Sequence, residues 1–171
     1  MIENPDIIQY CSDGDMDHDL YLLFTHARYL MYRAREKELQ RYDITPEKAQ
    51  VLFITNILKE RATPAEISRF LLRQPHTVSA IVNRMEEKGL VEKVRDLNHK
   101  NMVRVVITEK GKKLYSLTTG RGPIHRIMSA LSEDEREHFR RSLEKIMLKA
   151  SKEPGMNRNL QLPKNRLFVV S

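Results

Sequence analysis

Apolar residues recur at three- and four-residue spacing through most of this chain and give way to β-branched runs in one short region. Over residues 17–41, Leu20, Leu23, Phe24, Ala27, Leu30, Met31 and Ala34 follow the helical period, with Asp15 or Asp17 placed to cap. That stripe is too wide for a lone surface helix. Thr45-Pro46-Glu47 opens a second helix through about residue 59, with Ala49, Leu52, Phe53, Ile57 and Leu58 inward. A third starts at Thr63-Pro64, where Glu66 completes the pattern of a capping box and Ile67, Phe70 and Leu71 share a face. A fourth follows Gln74-Pro75, with Val78, Ile81, Val82 and Met85 at i, i+3, i+4 and i+7 and Gly89 as its stop.

Two runs rich in Val and Ile come next, residues 90–95 and 102–108, joined by the polar residues 96–101. They predict a β-hairpin, and the absence of Asn-Gly or Asp-Gly predicts a loop longer than two residues. Thr108 then caps a helix carrying Leu114, Tyr115 and Leu117. Gly120-Arg121-Gly122-Pro123 interrupts it, because each glycine costs a helix interior about 1 kcal/mol and proline about 3. A kink or break is expected over residues 119–123, serving as a hinge, as an opening for a ligand, or as a plain surface bend. Ser132 and Glu135 form a second capping box before a last helix to about residue 150, striped by Phe139, Leu143, Ile146, Met147 and Ala150. Residues 1–16 read as an arm, 17–150 as one domain, and 151–171 as a tail with the apolar ending Leu167-Phe168-Val169-Val170. The order of elements outlines a mainly α fold with a small antiparallel β-wing, a winged helix-turn-helix with its helix-turn-helix at about 64–88 and its wing at about 90–108.

Composition sharpens this picture. The 171 residues suit one domain with a sizeable core, and eight Met without Trp suit helices packed on helices. A net charge of +7 and a pI near 9.6 favour a polyanionic partner, nucleic acid before a membrane surface. No apolar run approaches the roughly 18 residues of a membrane span. No charged segment leads an apolar stretch at the N-terminus, so the expected compartment is the cytoplasm. Residues 61–104 hold nine Lys and Arg against five Asp and Glu, a net +4 that exceeds half of the whole chain's excess.

If Val78, Ile81, Val82 and Met85 face the core, then His76, Thr77, Ser79, Ala80, Asn83 and Arg84 face outward. Short hydrogen-bonding side chains and one arginine are what reaches base edges and phosphates from a helix in the major groove. The bland alternative is a solvated face, but such a face would carry more Glu and Lys, as Glu86, Glu87 and Lys88 do further along. Arg73 before this helix, and Arg95 and Lys100 on the hairpin, complete the candidate DNA-contact set of Arg73, His76, Thr77, Ser79, Asn83, Arg84, Arg95 and Lys100.

The phrases RMEEKGLVEKVRD and VRVVITEKGKKL, in this order of elements, resemble the MarR family of bacterial and archaeal transcription regulators over about residues 17–150. The resemblance implies that residues 75–88 are the recognition helix, 65–72 the supporting helix and 98–101 the wing tip. It also implies a homodimer built from the N- and C-terminal helices, which binds double-stranded DNA at an inverted repeat. Repression relieved by a small lipophilic or aromatic acid is the implied function. At the wing tip, family members usually carry an Asp and an Arg one residue apart. Here those places hold His99 and Asn101, with Lys100 between them as the remaining cation. The wing is therefore expected to contribute less affinity and a shallower salt dependence than in relatives.

The candidate effector set is Tyr29, Tyr32 and Arg33 on the first helix, Phe53 on the second and Tyr115 after the wing, combining rings with a carboxylate partner. Core and interface packing is the competing reading of each. Cys11, the only cysteine, excludes an intrachain disulfide and lies beside Asp13 and Asp15, which raise a thiol pKa rather than lower it. Relatives that sense peroxide carry their cysteine about ten residues later, where Tyr21 stands. Histidines at 18, 26, 76, 99, 125 and 138 lack metal-ligand spacing, and no cofactor or catalytic motif is present, so no catalytic residue, metal or enzymatic activity is expected. A protein-interaction module on the same scaffold, or a DNA-binding regulator without an effector, are the alternative functions.

Overall fold

The computed structural model describes residues 14–95 and 102–154. Helix α1 spans Met16–Gln40, and the Asp15 carboxylate caps it by accepting from the N–H groups of Asp17 and His18. Asp43, at φ 50°, turns the chain into α2, Pro46–Leu58, which Thr45 caps. A 3-10 turn at Lys59–Arg61 leads to α3, Pro64–Leu71, and a left-handed residue at Leu72 leads on to α4, Pro75–Glu87. One detail of the expected α3 start differs. Thr63 accepts from the Glu66 N–H, but the Glu66 carboxylate pairs with Arg69 on the outer face instead of returning to the Thr63 N–H, which donates to the Arg61 carbonyl.

Gly89, at φ 67°, closes α4. Its N–H donates to the Glu86 carbonyl at 2.8 Å and the next N–H, of Leu90, to the Met85 carbonyl at 2.9 Å, the paired bonds of a left-handed helix stop. The chain then forms β1, Val91–Arg95, antiparallel to β2, Val103–Ile107, in a register that pairs Val91 with Ile107 and Arg95 with Val103. The Val105 N–H also donates to the Ala62 carbonyl at 2.7 Å, fixing the hairpin to the segment before α3.

Leu39, Val51, Leu52, Ile67, Val78, Val82, Met85, Val91 and Val105 are fully buried and form one core between α1, α2, the helix-turn-helix and the hairpin. Each such side chain contributes about 1.5–3 kcal/mol by its removal from water. Helix α5, Glu109–Thr118, closes this core under the Thr108 cap. A Cβ added at Gly111 would lie 2.0 Å from the Leu90 carbonyl oxygen and 2.7 Å from the Ile107 side chain, so the helix passes the hairpin where only glycine fits.

The expected break follows: α5 ends at Thr118 and α6, Gly122–Met128, begins after Arg121 in a left-handed conformation. It is tied to α1 from both sides. Arg35 donates to the Thr118 carbonyl, its partner Glu38 accepts from the Gly122 N–H at 3.1 Å, and both side chains are largely buried. Helix α7, Glu133–Ala150, starts in the full Ser132–Glu135 capping box and buries no residue in the protomer. Its Phe139, Ile146 and Leu148 are exposed, as are Leu20, Tyr21, Leu23 and Phe24 of α1. No helix among the described residues is long and apolar enough to cross a membrane.

Candidate nucleic-acid interface

Burial divides α4 largely as its periodicity predicts, with Ile81 only half-buried against the core. Val78, Val82 and Met85 have no exposed surface, while His76, Ala80, Asn83 and Arg84 are exposed and Thr77 and Ser79 half-buried. Gln74 caps the helix through its backbone alone, with Pro75 in the first turn. Pro75 has no N–H, so the His76 N–H is the first donor at this helix start, where the helix dipole favours an anion.

Arg73 lies in the turn before α4, and its guanidinium sits 3.7 Å from Glu47 of α2. Glu47 also accepts from the Tyr32 hydroxyl of α1 at 2.9 Å. Burial pushes the Glu47 carboxyl up, but bonds from backbone N–H, Tyr32 and Thr45 and the charge of Arg73 together hold it below the usual carboxylate range. Burial, the Glu47 bond and its charge push the Tyr32 phenol up, since ionising it would place two anions together. The first candidate DNA contact is thus joined through one carboxylate to α1.

The hairpin is less basic than its composition implies. Arg104 pairs with Glu60 of the 3-10 turn, and Lys93 pairs with Glu86 of α4 at 2.8 Å. The Lys93 N–H donates to the same carboxylate and its ammonium to Asn83 Oδ1, both at 2.9 Å. Hydrogen bonds from Lys93 hold the Glu86 carboxyl below the usual range. Arg84 and Arg95 are exposed and make no ion pair among the described residues, so they are the cations this face offers outward. Lys100, with its neighbours His99 and Asn101, lies outside the described residues, as do Cys11 and the apolar end of the tail.

Among the described residues, the candidate effector side chains have separate surroundings. Tyr29 is exposed and Arg33 pairs with Glu36, both on α1. Tyr32 is engaged by Glu47. Phe53 packs against the core with the Arg121 guanidinium 4.6 Å above its ring, and the Tyr115 hydroxyl accepts from Asn56 at 3.3 Å. An open cavity of about 520 Å³ is lined by Ala34, Lys37, Glu38, Arg41, Gly122, Pro123 and Arg126. The pairings around Glu47 and Lys93 were not legible from local spacing, because each joins different elements.

A sequence model of the MarR family matches residues 42–100, which hold the helix-turn-helix and the start of the wing. No curated protein matches the chain in sequence. Among solved structures, the chain is similar to the organohalide-sensing transcriptional regulator RdhR-CbdbA1625 in its 2,4-dichlorophenol-bound form, with 29% identity, 77% of this chain and 79% of that chain covered and a TM-score of 0.70. It is similar to the MepR–DNA complex of S. aureus, with 25% identity, 75% and 96% covered and a TM-score of 0.71. It shares the fold of a MarR mutant from E. coli complexed with operator DNA, with 23% identity, 74% and 92% covered and a TM-score of 0.67. The expected winged helix-turn-helix and the resemblance to MarR-family transcription regulators are both borne out.

Proposed function

We propose that this chain, as a MarR-family winged-helix protein, is a dimeric, sequence-specific DNA-binding transcription regulator that represses and is released by a small molecule. The observation that carries this reading is α4. Val78, Val82 and Met85 are buried with Ile81 packed half-buried beside them, and the other face offers small polar groups and Arg84 beside a proline-led start without a side-chain cap. Arg73, His76, Thr77, Ser79, Asn83, Arg84, Arg95 and Lys100 are the proposed DNA contacts. Two such helices related by a twofold axis enter successive major grooves about 34 Å apart, so the site is an inverted repeat.

The exposed apolar faces of α1 and α7 support a homodimer, since apolar patches of this extent mark interaction surfaces. The domain of residues 17–150 between arm and tail is part of the same proposal. So are a place in the cytoplasm on the nucleoid and the absence of enzymatic activity. An effector acts only by preferring the helix spacing that does not fit DNA. Tyr29, Tyr32, Arg33, Phe53 and Tyr115 remain its proposed contacts. The bound 2,4-dichlorophenol of one similar structure favours an aromatic ligand for this chain too.

Footprinting of the DNA upstream of its own gene tests the reading. Two protected half-sites about one helical turn apart are expected. Arg84→Ala should weaken that binding by about 1–3 kcal/mol, as loss of a base or phosphate contact does, and unchanged affinity would remove Arg84 from the interface.

A further inference from the structure

Asn83 is the exposed α4 residue with an amide, and an amide reads DNA in two ways. Presenting oxygen and nitrogen side by side, it accepts from adenine N6 and donates to N7; presenting nitrogen alone, it donates to the acceptors of guanine or thymine. Which way it faces is set here by a neighbour. The Lys93 ammonium lies 2.9 Å from the Asn83 amide, and an ammonium has donors and no acceptor, so the atom facing it is Oδ1. Lys93 is itself held at both ends by Glu86, which accepts from its N–H at 2.9 Å and pairs with its ammonium at 2.8 Å.

We infer that Lys93 is a specificity-determining residue that turns Asn83 into a donor, so that this position of the recognition helix selects guanine, with its paired N7 and O6 acceptors, over adenine. The inference rests on the proposed DNA-binding function and adds which base edge one residue reads. The second lone pair of Oδ1 does not restore the adenine contact, because the adenine amino group would have to approach beside a fixed ammonium. Lys93 acts through Asn83: Glu86 anchors Lys93, Lys93 orients the amide, and the amide Nδ2–H₂ group meets the base. The spacing explains why neither residue stands out alone, since they are ten positions apart on α4 and β1.

Selection from a randomised double-stranded DNA library, run in parallel on wild type, Lys93→Met, Lys93→Arg and Asn83→Ala, tests the inference, with thermal melting to confirm that each variant is folded. Wild type should enrich guanine at one symmetric pair of positions, and Asn83→Ala should lose that preference while keeping the others. Lys93→Met should move the guanine-to-adenine ratio there toward adenine by about tenfold, within the discrimination of one good amide contact. Lys93→Arg, which keeps a donor-only cation, should retain guanine. A Lys93→Met profile identical to wild type, or an adenine preference in wild type at the Asn83-dependent position, would overturn the inference while leaving the regulator intact. Enrichment of no sequence by wild type would overturn both.

Discussion

At the scale of single residues, one carboxylate joins three parts of the molecule. Glu47 of α2 accepts from Tyr32 of α1 and faces Arg73 at the entrance to α4. It holds its charge because those partners outweigh its burial. A carboxyl whose folded pKa is depressed stabilises the fold above its unfolded pKa, and that contribution is lost as pH falls through the folded value. Wild type should therefore exceed Glu47→Gln in stability at neutral pH, and the gap should close progressively as the pH drops below about 4.5, the ordinary glutamate value. Urea melts of both proteins from pH 7 to pH 3 measure this, and a gap independent of pH would assign the effect to packing. Because Arg73 is shared between Glu47 and the proposed DNA phosphate, the same variant frees a cation on the DNA-facing side.

At the scale of elements, much of the architecture was readable because it is local. Thr45, Thr63, Thr108 and Ser132 each cap the helix whose start they mark, and Gly89 takes the left-handed backbone its place demands. Glycine and proline between residues 119 and 123 end α5, as their helix costs require. What escaped the sequence is what joins elements. Glu60 meets Arg104 across 44 positions, and Glu66 pairs with Arg69 one turn on while the Thr63 N–H donates to the Arg61 carbonyl. Gly111 lies within the phrase VRVVITEKGKKL, and the physical reason for a glycine there is the Leu90 carbonyl pressed against it. Gly111→Ala should cost about 1–3 kcal/mol through overpacking between α5 and the hairpin. A lower urea midpoint at unchanged slope would report that loss. An unaltered midpoint would mean that the hairpin shifts freely, and the wing would then be poorly fixed to the helix-turn-helix. At the candidate site, the outward set on α4 was legible from period alone, whereas the engagement of Asn83 by Lys93 was not.

At the scale of the whole molecule, the protomer carries a well-filled core and an unfilled face. Ile146 of α7 and Leu20 of α1 are more than half exposed, and neither belongs to the core cluster. Such a face accords with two protomers joined through their N- and C-terminal helices. Leu20→Arg with Ile146→Arg should leave a folded monomer with full helical content and without tight operator binding. Sedimentation and circular dichroism read the two properties separately, and a variant that stays dimeric would move the interface elsewhere. In the proposed dimer, association also sets the spacing of the two α4 helices, which is the quantity the proposed effector has to change.

The most direct measurement is the affinity of the purified protein for the DNA upstream of its own gene against unrelated DNA of equal length, at two salt concentrations. The predicted result is selective binding by a dimer that weakens steeply with salt, as contacts to several phosphates require. Equal, weak binding to both DNAs would contradict the account and favour a protein-interaction module on the same scaffold.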